Sequence, residues 1–166
     1  MASEQDERLV VADTGPLHYL VLIGQVDILP GLFGTITVPS VVHGELSCAE
    51  APEVIRAWIA IPPAWLKVET IVGPEIASTG LDAGERAVLS LANAIPAPLI
   101  LMDDRAGVAE ARRRGSSVIG TLGVLDLAAH RGLIRLSDAF NKLRATNFRY
   151  PEDVMNALLA QHSRES

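Results

Sequence analysis

The sequence predicts a three-layer α/β/α domain around a central parallel sheet of about four or five strands. Three observations predict it. Short apolar runs recur along the chain, two of them ending at an aspartate. Each is followed by apolar residues at helical spacing, and the connections between them are short. With 166 residues, 49% of them apolar and 20% charged, the chain has enough material for one core and too little for two ordinary domains. Aromatic residues make up only 4%, so that core must be aliphatic.

Residues 9–12 are an apolar run closed by Asp13, and Thr14, Gly15 and Pro16 open a helix with proline expected at its first position. Ile36, Thr37 and Val38 form a second strand, closed by Pro39. Ser40 is the expected N-cap of a helix through Val41, Val42, Glu45 and Leu46. Residues 51–61 read as a helix stopped by Pro62 and Pro63, and residues 65–69 as a short extended piece. The clearest helix opens at Leu81-Asp82-Ala83-Gly84-Glu85, carries Ala87, Val88, Leu91 and Ala92 on one face, and ends before Pro96. Leu99, Ile100, Leu101 and Met102 are too few for a helix and run straight into Asp103 and Asp104, as a buried parallel strand would. A helix over 106–114 with Gly115 as its stop, a strand over 117–119 and a helix over 122–129 complete the alternation. Two further helices are expected at 138–146 and 152–161. Residues 1–8 are expected to be flexible, residues 9–145 to form the domain, and residues 146–166 to supply a C-terminal helix that packs on the domain or on a partner.

Composition narrows the function classes. The net charge of −6 and a pI near 5.1 exclude a broad basic surface for gripping nucleic acid, though not a local groove. All but two of the 14 basic residues are arginine, whose planar fork suits phosphate. The run Arg112 to Arg114 by itself reads as a solvated helix face. The acidic opening lacks a secretory pattern, and the apolar stretch over 17–33 is interrupted by Gln25, Asp27, Pro30 and Gly31. The expectation is a cytoplasmic, soluble protein. Cys48, the single cysteine, suits a reducing compartment and is expected to serve packing rather than chemistry.

In open α/β sheets, ligands gather beyond the carboxyl ends of strands where the strand order reverses. Asp13 and the pair Asp103 and Asp104 stand at such ends, and Glu45 and Glu85 lie near the starts of helices on the same rim. Each has a plain structural alternative. Asp13 can cap the helix that follows, Asp103 and Asp104 can cap the next, and Asp82 to Glu85 is an aspartate version of the capping box. Together in one βαβα frame they point instead to an all-oxygen site for Mg²⁺ or Mn²⁺, of the kind that acts on phosphate esters. His18, His43, His130 and His162 form no ligand-spaced pair, which argues against zinc.

The stretches VVADTGPLHYL, ITVPSVVHGEL, GLDAGERAVLSLA, LILMDDRAGVAEARRRG and VIGTLGVLDLAAHRGLI, in this order, resemble the PIN-domain family of small metal-dependent ribonucleases, which includes toxins of bacterial toxin–antitoxin pairs. The likeness spans about residues 9–145. It implies Asp13, Glu45, Glu85 and either Asp103 or Asp104 as the catalytic acids. Asp13, Glu85, Asp103 and Asp104 are the implied metal ligands, for Mg²⁺ or Mn²⁺. It further implies Thr14 and Arg105 at the substrate, RNA as that substrate, a cognate antitoxin as partner, and a homodimer. Many members carry asparagine or serine where this chain has Gly15, and the toxins usually carry aspartate in place of Glu85.

Other readings of the same residues are weaker. Asp-Thr-Gly also marks aspartic proteases, but those need an all-β frame and two proton-sharing aspartates. A phosphorelay receiver needs a lysine at a late strand end, and neither Lys67 nor Lys142 is so placed. The competing function is a PIN-like domain, catalytically weak or inactive, that acts as a binding or regulatory module.

Overall fold

Five short strands, β1 (Val10–Ala12), β2 (Ile36–Pro39), β3 (Leu66–Glu69), β4 (Leu99–Leu101) and β5 (Ser117–Ile119), pair in parallel in the order β3-β2-β1-β4-β5. The structure, a computed structural model, describes residues 9–71, 76, 80–95 and 98–165. Register follows from the apolar runs. Val10 lies opposite both Ile36 and Leu99, Ala12 opposite Leu101, and Leu101 opposite Ile119. All of β1 and β2 is buried, as expected of parallel strands covered on both faces, whereas edge strand β3 buries only Leu66.

Among the described residues nine α-helices cover the sheet in the predicted α/β/α layering. They are α1 (Thr14–Leu22), α2 (Leu29–Phe33), α3 (Ser40–Ser47), α4 (Glu53–Ala60), α5 (Ala83–Asn93), α6 (Arg105–Arg113), α7 (Thr121–His130), α8 (Leu136–Arg144) and α9 (Glu152–Glu165). Helix α5 packs across β2, β1 and β4. Helix α1 touches α3, α4 and α7, and α7 in turn carries α8 and α9. The core is aliphatic, with Leu17, Leu20, Ile36, Ile100 and Leu101 fully enclosed and Phe140 the one aromatic ring among its largest fully buried side chains. Such side chains are each worth about 1.5–3 kcal/mol relative to exposure.

Several local expectations change. Pro16 is the third residue of α1, not the first, but it still falls in the first turn, where a missing N–H costs no helical bond. Pro39 is the last residue of β2 and takes the N-cap place of α3, so Ser40 is already helical and its hydroxyl does not cap. Cys48 is exposed rather than packed, its thiol donating to the Glu45 carbonyl at 3.0 Å. The stretch after α1 folds into a 3-10 turn (Val26–Ile28) and the short helix α2, burying Val26, Leu29 and Leu32. The C-terminal helix runs to Glu165 and packs on α7 and α8, with Met155 fully enclosed. The expected flexible stretch 1–8 lies outside the described residues, as does Pro96. Among the described residues no single helix is long and apolar enough to cross a membrane.

Candidate metal centre

The chain lays β2 and β3 to one side of β1 and then returns to lay β4 and β5 on the other. The strand order therefore reverses between β1 and β4, and a crevice opens past their carboxyl ends. Asp13 leaves β1 at that point, its N–H donating to the Leu101 carbonyl at 2.9 Å. One strand over, the Met102 N–H donates to the Ile119 carbonyl at 3.1 Å, and the next residue is Asp103.

Asp13 occupies the N-cap place of α1, yet its side chain makes no capping bond. The capping alternative fails there. Its carboxyl is only 8% exposed and is pushed up to about 7, first by burial and then by the charges of Asp82, Glu45 and Asp103, with the Thr14 amide pulling the other way. Asp103 is held by both oxygens. The Thr121 N–H donates to Oδ1 at 2.7 Å and the Thr121 hydroxyl to Oδ2 at 2.6 Å. Burial raises the Asp103 pKa, and these two bonds oppose the rise. Glu45 reaches the same place from α3, where its Oε2 accepts the Thr14 hydroxyl.

Glu85 and Asp104 keep the structural roles that the sequence allowed. Glu85 is buried and closes a capping box on α5. Its N–H donates to Asp82 Oδ1 at 2.8 Å, while the Asp82 N–H donates to its Oε2 at 3.3 Å. Burial, with the charges of Asp82 and Asp104, pushes Glu85 up to about 7. Asp104 caps α6, accepting the Gly107 N–H at 3.1 Å. The pair that sequence could not separate is thus divided: Asp103 is tied to α7 beside Asp13, and Asp104 is exposed and spends one oxygen on α6. Asp82, which sequence offered only as a cap, joins the electrostatics of both Asp13 and Glu85.

Glycines set the spacing. A Cβ on Gly84 would come within 2.7 Å of Glu45 Oε1, and one on Gly120 within 2.7 Å of Asp103 Oδ1. At Gly15 a Cβ would meet Asp103 Oδ2 at an ordinary 3.6 Å, so that position lies open beside the carboxylate. Among the described residues no ion pair compensates any of these acids. Arg105 is exposed and pairs with neither Asp103 nor Asp104; Arg113 and Arg114 are occupied by Glu110 on the outer face of α6.

A groove of about 920 Å³ leads away from Asp103 and Asp104, lined by Tyr19, Arg105, Phe148, Arg149 and Tyr150. Both tyrosines of the chain stand here. The Tyr19 hydroxyl donates to Asn147 Oδ1 at 2.9 Å, and its ring meets Phe148 edge-on at 4.9 Å. Phe148 and Tyr150 lie near-parallel, 13° apart. The aromatic and arginine alternation of Phe148-Arg149-Tyr150 was the one signal in the sequence that could have found this wall. A separate hollow of about 680 Å³ opens past the amino ends of β1 and β4, next to Val10 and Leu99, with no carboxylate in its lining.

The four histidines do not stay apart. His18 and His43 lie elsewhere, but the rings of His130 and His162 come to 4.2 Å of each other, grouped with Asp126 at the end of α7 remote from Thr121.

Asp13 and Glu85 titrate about 7 in the fold against 3.8 and 4.5 ordinarily, so between those limits the folded chain binds more protons than the unfolded one. In a chelating buffer, stability should therefore fall as pH rises from about 4 to about 7 and stay low above it. For Asp13 a shift of this size corresponds to at most roughly 4 kcal/mol. The urea midpoint of Asp13→Asn should exceed that of the parent chain at pH 8 and lose the advantage at pH 4.5; equal destabilisation at both values would contradict the burial argument.

A family model for the PIN domain matches residues 9–164, which takes in α9 as well as the sheet and its acids. No curated protein and no solved structure matches the chain. A five-stranded parallel sheet in this order, acids gathered at the turn of its strand order, and a family match over nearly the whole length agree: the chain belongs to the PIN-domain family.

Proposed function

We propose that the chain is a Mg²⁺- or Mn²⁺-dependent endoribonuclease, the toxin of a toxin–antitoxin pair, and that it works as a homodimer restrained by its cognate antitoxin. The observation that carries the nuclease reading is the convergence of Asp13 and Asp103 from neighbouring strands, with Glu45 alongside and no cation paired to them among the described residues. Buried like charges are tolerated when a cation or several donors offset them, and an all-oxygen set suits a hard divalent ion. The toxin, antitoxin and dimer parts rest on the likeness of the five motif stretches to PIN toxins.

Asp13 and Asp103 would hold the ion, with Glu45 and Glu85 completing or orienting the site. When bound, the ion supplies neutralisation of charge on the attacked phosphate and an activated water. The chain's own residues do the rest. Thr121 fixes both Asp103 oxygens, so that carboxylate needs no reorganisation. Thr14, expected to touch substrate, orients Glu45 instead. Glu85, titrating about 7, is matched to take or give a proton near neutral pH. Arg105 and Arg149 hold the phosphate backbone in the groove, while Phe148 and Tyr150 offer faces on which unpaired bases stack. Single-stranded RNA fits this wall better than a duplex, whose bases are already stacked. The competing reading, a domain that binds without hydrolysis, draws support from Gly15, which leaves no side chain beside Asp103 where many PIN nucleases have one.

Purified protein with Mn²⁺ should cleave single-stranded RNA, and Asp13→Asn or a chelator should reduce the rate on the order of 100-fold or more. Binding without cleavage on every RNA tried would favour the non-hydrolytic module. Gly84→Ala separates site from fold: it should leave stability unchanged or raised by up to about 1 kcal/mol, since alanine is the better helix former, while pushing the Glu45 carboxylate aside and cutting activity at least tenfold. Phe148→Ala should raise KM for single-stranded RNA roughly 5- to 100-fold with kcat little changed, as expected for one lost stacking contact; an unaltered KM would remove the groove from the substrate path.

A further inference from the structure

Helices α7 and α9 face each other with two pairs of donor side chains. Asp126 and His130 stand four residues apart on one face of α7, and His162 and Glu165 three apart on one face of α9. Asp126 Oδ1 is 2.9 Å from His162 Nε2 and 3.5 Å from His130 Nδ1, and one donor atom from each of the three residues lies within 4.8 Å of the others. Ligands bound at about 2.0–2.2 Å around a tetrahedral ion stand roughly 3.3–3.6 Å apart, so binding draws the three side chains together and exchanges the contact of His130 Nδ1 with the Asp126 carbonyl, at 2.9 Å, for the ion. The other nitrogen of His130, Nε2, meets Glu165 Oε2 at 2.9 Å, the carboxylate-on-imidazole arrangement that orients metal-bound histidines.

We propose that Asp126, His130 and His162 form a second metal site, for a borderline transition ion of the zinc class, that fastens α9 to α7. Two imidazoles with one carboxylate favour Zn²⁺, Ni²⁺ or Cu²⁺ over Mg²⁺ or Mn²⁺, so the site differs in chemistry from the acidic rim. It also differs in place. Thr121, which holds Asp103, begins α7 and His130 ends it, roughly 14 Å away along the helix axis. The side chains of Asp126, His130 and His162 are 25%, 37% and 22% exposed, open enough to admit an ion from solvent. Alone, the attachment of α9 is thin, with Met155 its single fully enclosed side chain. The segment leading into α9 carries Phe148, Arg149 and Tyr150, so fastening the helix also steadies one wall of the groove. Glu165 stands ready as a fourth ligand or as the partner of His130.

Metal-stripped full-length protein in an excess of Mg²⁺, which keeps the acidic rim occupied, titrated with Zn²⁺ by calorimetry and with Co²⁺ by visible absorption, should take up one ion per chain. Co²⁺ should give the intense bands of a tetrahedral site, and Zn²⁺ should raise Tm by several degrees. Asp13→Asn should bind Zn²⁺ like the parent, which separates this site from the rim whether or not the rim hydrolyses RNA. His162→Ala and His130→Ala should each weaken binding at least tenfold and abolish the Tm rise, with unchanged far-UV circular dichroism. If either alanine variant fails to fold, His162→Gln, which keeps a polar contact to Asp126 but ligates poorly, takes its place. Absence of saturable Zn²⁺ uptake below about 100 μM, uptake that survives loss of His162, or uptake lost in Asp13→Asn would each overturn the proposal.

Discussion

Repulsion among carboxylates gathered around the buried Asp13 and Glu85 is the constraint around which this molecule is arranged. Asp13, Glu45, Asp82, Glu85, Asp103 and Asp104 meet at one rim, and the fold offers them hydrogen-bond donors but, among the described residues, no positive partner. A core-forming role cannot explain that cost, since apolar residues of the same size would pack there without penalty. The strand order explains how the acids meet. Only where β1 and β4 lie side by side do two strand ends, separate in sequence, deliver aspartates to one crevice, and the parallel register of Ala12 with Leu101 leaves Asp13 and Asp103 one residue apart in level.

The frame of this arrangement was legible because parallel strands buried on both faces leave plain apolar runs, as β1, β2 and β4 do, while the edge strand β5 is marked only by Val118 and Ile119. So was the gathering of acids, since Asp13 and Asp103 each follow a strand, Glu85 lies in the first turn of α5 and Glu45 in the second turn of α3. The division of labour was not. Asp13 and Asp104 hold the same N-cap place in the sequence pattern, yet one side chain caps and the other does not. The room that Gly84 leaves for the Glu45 carboxylate and Gly120 for that of Asp103 is likewise a tertiary fact with no local signature. Ser40 failed as a cap for another reason: Pro39, the last residue of β2, takes the N-cap place, and the helix starts one residue earlier than the cap chemistry suggested.

Long-range pairs were the least readable. His130 and His162 are far apart in the chain, so no spacing rule applies to them, and only the docking of α9 on α7 brings their rings together. Tyr19 and Phe148 are separated still further and meet because α1 and the segment after α8 flank the same crevice. Cys48 illustrates the opposite error, where a residue type usually buried was assigned to packing and lies exposed past the end of α3.

The capping bonds at the rim carry a consequence of another kind. Asp82, Asp104 and Asp103 accept N–H groups from the first turns of α5, α6 and α7, and the Thr14 amide opens α1 beside Asp13. Four helices therefore aim the positive ends of their macrodipoles, each equivalent to about half an elementary charge, into the acidic crevice. Those fixed dipoles do not titrate and cannot leave. Near the crevice the electrostatic potential is accordingly less negative than the formal charges suggest, and a polyanion approaching from the arginine-lined side meets oriented amides behind the carboxylates. Under the proposed function, a chain of net charge −6 would in this way receive a phosphate backbone without a basic face of its own.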